Sequence, residues 1–176
     1  MRTRFWVSSL VLAACLSISA AESVQLASGK AITYSSSDGS TVFFIPKSSG
    51  GSSRLSVQRD ATVAKDSNPT SVKLVAQVSD SAIVLIDSYP SIPRGMSYCQ
   101  AGEERFLRVL AISGKRPSET FHLKLESCRK NIELASPGLK WSPDTSILSI
   151  RWLSAPGQNG KAEDRRLKIS AKGKVS

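Results

Sequence analysis

Histidine occurs once in this chain of 176 residues, at His122, and cysteine only three times, at Cys15, Cys99 and Cys128. One imidazole and no CxxC spacing exclude the common zinc ligand sets. A Ser-His-Asp or Cys-His system would have to use His122 as its base. The alternation Thr120-His122-Lys124-Glu126 against Phe121-Leu123-Leu125 sets that residue opposite the apolar side of a strand, facing solvent beside Lys124. There is no G-x-S-x-G elbow, P-loop, HExxH or G-x-G-x-x-G. Acidic residues are scattered singly or in sequence pairs such as Glu103-Glu104, which a strand sends to opposite sides. These absences predict a non-enzymatic protein with no metal and no cofactor. Aromatic residues make up only 6% and no RNP-like or zinc-finger pattern appears, which argues against nucleic acid as the partner. No stretch approaches the roughly 20 apolar residues of a membrane-spanning helix.

What is present begins with an export signal. Arg2 and Arg4 precede an apolar stretch from Phe5 to Ile18, and Ser19-Ala20-Ala21 supplies the small residues of a cleavage site. Residues 1–21 are therefore expected to be a secretory signal peptide and residues 22–176 a single domain, exported to the periplasm. Leu12-Ala13-Ala14-Cys15 competes as a lipoprotein box that would make Cys15 a lipid anchor. Either cleavage leaves Cys99 and Cys128, 29 positions apart in an oxidising compartment. They are expected to form a disulfide, contributing about 3–4 kcal/mol by loop closure. A catalytic thiolate paired with His122 is the competing reading.

Periodicity sets the fold class. Val72, Leu74, Ala76 and Val78 alternate with polar or neutral residues, as do Leu148, Ile150 and Trp152, and Leu167, Ile169 and Ala171. Period two means strands with one buried face. Ala82–Ile86 and Phe106–Ile112 are apolar at both parities, the pattern of central strands covered on both sides. Turn signals recur at Ser37–Ser40, Ser48–Ser53, Ser79-Asp80, Ser113–Pro117 and Ser142–Thr145. The expected architecture is an all-β antiparallel meander of about ten short strands, arranged either as blade-like small sheets or as a β-sandwich. Ser48–Ser53 reads as a flexible surface loop.

Charge is the remaining broad signal. Lys+Arg total 24 against 14 Asp+Glu, a net +10. Loss of residues 1–21 removes Arg2 and Arg4 and leaves +8, enough to steer the protein toward anionic partners. The tail from Lys161 to Ser176 holds six Lys/Arg against Glu163 and Asp164. It reads either as a basic edge strand that discourages aggregation or as a ligand-facing patch.

The export signal, the β-meander of the mature chain, the single cysteine pair and the hairpin Ile112-Ser113-Gly114-Lys115-Arg116-Pro117-Ser118 together resemble the periplasmic immunity proteins that bacteria carry against type VI secretion effectors, and among them those that neutralise peptidoglycan amidases. That resemblance implies a partner, a secreted Cys/His endopeptidase, whose substrate groove is occluded by an inserted loop. Ser113 and Gly114 would make a narrow tip, a serine hydroxyl both donates to and accepts from a Cys/His pair, and Pro117 limits the loop's freedom before binding. Lys115, Arg116 and Ser118 would contact the rim. An ordinary hairpin turn is the bland reading of the same residues. Tyr89–Tyr98 is a second candidate surface, or else a crossover between sheets. The alternative function is a basic envelope-binding module for peptidoglycan or anionic lipid.

Overall fold

The alternation of apolar and polar residues resolves into eleven strands and no helix among the described residues, which are 23–92, 102–114 and 116–176 of a computed structural model. The first sheet contains β1 (Ser23–Gln25), β2 (Ala31–Ser37), β3 (Ser40–Pro46) and β4 (Ser52–Gln58). The second contains β5 (Ser71–Ser79), β6 (Ala82–Pro90), β7 (Glu103–Ala111) and β8 (Ser118–Ser127). The third contains β9 (Glu133–Ser142), β10 (Ile147–Ser154) and β11 (Glu163–Lys168), with β10 in the middle. Within each sheet every strand pairs antiparallel with its neighbour in the chain. The expected meander of small blade-like sheets is the architecture found. Short turns make it possible: Asp38 and Gly39 both take positive φ (35° and 74°), the geometry of a two-residue hairpin matched to strand twist.

The three sheets stack face to face with the second in the middle, so β6 and β7 are covered on both sides as their composition predicts. Ile83, Leu85 and Leu110 point into one core with Ile32, Phe43, Ile45 and Val57 of the first sheet. Val84, Leu107 and Val109 point the other way and pack with Leu148, Ile150, Trp152 and Leu167 of the third. Trp152 is 1% exposed, and its indole N–H donates to the Leu125 carbonyl at 2.9 Å, fixing the third sheet to the second.

Two period-two readings need correction. In β5 the pairing slips between Leu74 and Ala76, because Leu74 faces Leu85 while Ala76 faces Val84. Val75 is the extra residue, and a bulge of this kind reverses the parity after it. Val72 and Leu74 consequently join the core with the first sheet, while Ala76 and Val78 join the core with the third. Ala171 is exposed rather than buried, since β11 stops at Lys168 and the chain turns, with the Gly173 N–H donating to the Ser170 carbonyl at 2.8 Å. Ser176 and Lys168 then exchange backbone hydrogen bonds at 2.9 and 3.0 Å. The stretch expected as a flexible loop is a closed hairpin turn over residues 47–51, with Gly50 and Gly51 at positive φ and the Lys47 N–H bonded to the Gly51 carbonyl, while Ser52 and Ser53 already pair in β4.

Candidate partner-binding site

The turn between β7 and β8 is anchored where it leaves β7. The Ile112 N–H donates to the Ser81 carbonyl at 2.8 Å, which fixes the exit of β7 to the neighbouring turn. Beyond it Ser113, Gly114, Arg116 and Ser118 are exposed, and Pro117 is half-buried; Lys115 lies outside the described residues. Gly114 sits at φ 98°, a conformation that costs a side-chain-bearing residue about 1–2 kcal/mol, and nothing lies within 4 Å of where its Cβ would be. There is therefore open space on that side of Gly114.

Beside it runs a cleft of about 580 Å³ that sequence reading did not foresee. Ser113 and Gly114 line one part of it and Lys47, Ser48 and Ser49 of the β3–β4 turn line another. Buried Leu26 and Ile45 form its apolar base, and Lys30, Gln77 and Asp80 add polar groups. The Lys30 ammonium donates to the Lys47 carbonyl at 3.2 Å, and the Gln77 side-chain oxygen Oε1 accepts from the Ala27 N–H at 2.8 Å. Four turns from two sheets thus gather at one end of the stack, because antiparallel meanders return every second turn to the same side.

The opposite end of the same inter-sheet space holds the chain's buried charges. Along β6 and β7 the residues facing the first sheet pair as Leu85 with Arg108, Asp87 with Phe106 and Tyr89 with Glu104. Arg108 is 1% exposed and its Nε lies 2.8 Å from Asp87 Oδ2, while the guanidinium also reaches Glu119 Oε1 at 2.6 Å and the Gln58 carbonyl at 3.1 Å. Tyr89 donates to Asp87 Oδ2 at 2.5 Å and accepts from Thr41. Burial, and then the neighbouring Asp87 charge, push the Tyr89 phenol well above its usual range. Glu104 is fully buried and accepts from Ser91 and Thr62, each at 2.7 Å, and from Lys124 at 2.8 Å. Lys124 also pairs with Asp60 at 2.6 Å and sits 4.8 Å from the Phe106 ring centre.

Two expectations change here. Lys124, read as a solvent-facing neighbour of His122, has an ammonium side chain only 9% exposed. Tyr89, the first residue of the second candidate surface, is fully buried and serves the core; residues 93–98 of that segment lie outside the described residues. His122 itself is 68% exposed, as its parity predicts, and its Nδ1 lies 3.8 Å from Glu119 Oε2. That is too long for a hydrogen bond, and among the described residues nothing orients the ring. Cys128 is engaged rather than free, and its expected partner Cys99 lies outside the described residues, as does Cys15. No group of three potential metal ligands occurs among the described residues.

The buried cluster makes stability depend on acid. Burial alone would raise the Asp60 carboxyl, but hydrogen bonds from Lys124 and Thr62 outweigh it and bring the group down to about 2. Glu104 is likewise held below its usual range, burial being outweighed by donors from Lys124, Ser127, Ser91 and Thr62. Carboxyls depressed in the folded state contribute stability that is present above their unfolded values, near pH 4, and is lost as pH falls toward about 2. Tryptophan fluorescence followed over that range should show the unfolding transition, and Lys124→Met should move its midpoint to higher pH. An unchanged midpoint in that variant would mean the cluster does not govern acid stability.

No family model, no curated protein and no solved structure matches this chain.

Proposed function

We propose that this chain is an exported, non-enzymatic inhibitor: a periplasmic immunity protein that occludes the active-site groove of a cell-wall peptidoglycan amidase with the bend at Ser113 and Gly114. The observation that carries the reading is the exposure of this bend, where Ser113, Gly114 and Arg116 face solvent with Ile112 pinned behind them. A tip of two small residues enters a cleft at little steric cost, and a support held by backbone hydrogen bonds limits the ordering cost of binding. Arg116 and Ser118 flank the tip at exposed positions, where a cation assists encounter and orientation. The cleft beside the bend gives the partner a surface on which to seat the rim of its groove.

The proposal includes the signal peptide over residues 1–21 and a Cys99–Cys128 disulfide. Gly102 supports the pairing, because a Cβ placed on it would lie 2.7 Å from Cys128 Cβ. The chain three residues after Cys99 therefore runs directly against the Cys128 side chain.

Substitution at the tip tests the mechanism. Ser113→Trp adds a large rigid side chain to a groove-filling tip and should weaken inhibition of a Cys/His peptidoglycan endopeptidase from the same bacterium by about 100-fold or more, a loss of about 3 kcal/mol. Thermal unfolding should be unchanged, since Ser113 is exposed. Full inhibition by the bulky variant would mean that the bend is not the plug.

A further inference from the structure

Among the described residues no other sheet covers the outer face of the third sheet. Leu148, Ile150, Trp152 and Leu167 turn inward, so Ser149, Arg151 and Leu153 of β10 and Asp164, Arg166 and Lys168 of β11 turn outward. The strand register sets Lys140, Ser149 and Arg166 in one row across β9, β10 and β11, and places Arg151 beside Asp164 in the next. Four cations therefore share the face with one carboxylate. That carboxylate is engaged by Arg151 at 2.9 Å, whereas Lys140, Arg166 and Lys168 have no ion pair among the described residues.

Apolar surface lies on the same face. Leu153 is 55% exposed, the one large hydrophobic side chain so exposed among the described residues. A groove of about 320 Å³ crosses the same face, with Pro137, Gly138 and Leu139 of β9 on one side and Arg151 and Arg166 on the other. Gly138, in the wall of the groove, has no room for a side chain, because a Cβ there would lie 2.7 Å from the Ala135 carbonyl and 2.8 Å from Leu134 Cβ.

We propose that this face binds the surface of a bilayer containing anionic phospholipid, with Lys140, Arg166 and Lys168 on the headgroup phosphates and Leu153 inserted among the upper acyl carbons. Cations on long aliphatic stems and a projecting leucine about 13 Å further along β10 share one face, so the face can lie on an interface that offers charge and hydrocarbon together. A polyanionic glycan would use the cations but leave Leu153 and the apolar groove without a partner. The face and the Ser113 bend are separate, since the bend projects from the strand ends of the second sheet, so docking leaves the bend clear. The inference does not depend on the inhibitory reading.

Co-sedimentation of the purified protein with vesicles of phosphatidylcholine, alone or with about 30 mol% phosphatidylglycerol, tests this. Binding should require the anionic lipid and fall by at least tenfold as salt rises from about 0.05 to 0.5 M. K140Q/R166Q should reduce partitioning about 20-fold, each cation near the surface contributing about fivefold. Leu153→Asn should reduce it about fivefold while leaving the salt dependence unaltered, a readout that a purely electrostatic role would not give. Arg54→Gln, which removes a cation from the first sheet, and Ser113→Trp should both leave partitioning unchanged. Equal binding to neutral vesicles, indifference to K140Q/R166Q, or retention on insoluble cell-wall sacculi with none on vesicles would overturn the proposal. A folded state with wild-type thermal unfolding in each variant makes those comparisons valid; if K140Q/R166Q fails that check, Lys168→Glu serves in its place and should reduce partitioning at least fivefold.

Discussion

Arg108→Met should lower the unfolding free energy by about 3–5 kcal/mol, measured by urea denaturation at neutral pH. The side chain is 1% exposed and Asp87 beside it is fully buried. Their separation of 2.8 Å makes a strong charge-assisted pair, but the attraction serves chiefly to offset the cost of removing both ions from water. Methionine fills much of the space over the Phe106 ring, where the guanidinium carbon lies 5.4 Å from the centre, so packing loss is a minor part of the effect. What remains is a carboxylate at Asp87 with, among the described side chains, the Tyr89 hydroxyl as its donor, and a Gln58 carbonyl that has lost the Arg108 donor. The double variant Arg108→Met with Asp87→Asn removes both charges and should recover at least half of the loss. A change under about 1 kcal/mol in the single variant would show that the buried Arg108–Asp87 pair does not govern the stability of the fold.

Trp152→Ala should cost a similar amount, about 3–5 kcal/mol, and for a different reason. Trp152 is the largest fully buried side chain, at the centre of the core between the second and third sheets. Its removal loses apolar burial, leaves a cavity and strands the Leu125 carbonyl that accepts the indole N–H. Arg165, whose guanidinium carbon lies 5.5 Å from the ring centre, loses its stacking surface as well. Trp152→Phe restores most of the packing without the donor and should lose only about 1–2 kcal/mol. Equal losses in the two variants would mean that the hydrogen bond, rather than the packing, carries the contact. Both measurements are read by the same denaturation curve, and a protein of this size has only about 5–15 kcal/mol in hand, so each single variant is expected to lie close to the folding threshold.

The layered fold was legible wherever apolar patterning alone determined it. Ala82–Ile86 and Phe106–Ile112 carry apolar residues at both parities because two other sheets cover them, and the strand β10 alternates cleanly because only one face is buried. The bulge at Val75 was not legible, since a valine on the wrong parity resembles any small break in alternation until the partner strand is known. Arg108 and Lys124 were missed for a related reason. A charge within a doubly covered strand looks like an exception to be averaged out, and only the three-dimensional register brings Asp87, Glu104 and Glu119 to it from other positions. Asp87 directly after the run Ala82–Ile86, and Arg108 in the middle of Phe106–Ile112, were the available signals. Exposure of the bend followed from its turn composition, whereas the cleft beside it required two sheets to be stacked, which no local pattern encodes.

Spatial separation gives the account its logic. Glu104 and Ser113 are nine residues apart along one strand and its exit, about 30 Å when extended, so the charged cluster stabilises one end of the stack while the turns of the other end remain exposed. Arg108→Met is therefore expected to weaken the fold without altering the affinity of the molecules that remain folded. The most direct measurement of the central claim is a titration of peptidoglycan-peptide hydrolysis by a Cys/His endopeptidase of the same bacterium with the purified protein at physiological salt. The account predicts activity falling linearly to zero at one equivalent, with no hydrolysis by the protein itself; undiminished hydrolysis at excess protein, or turnover by the protein alone, would contradict it.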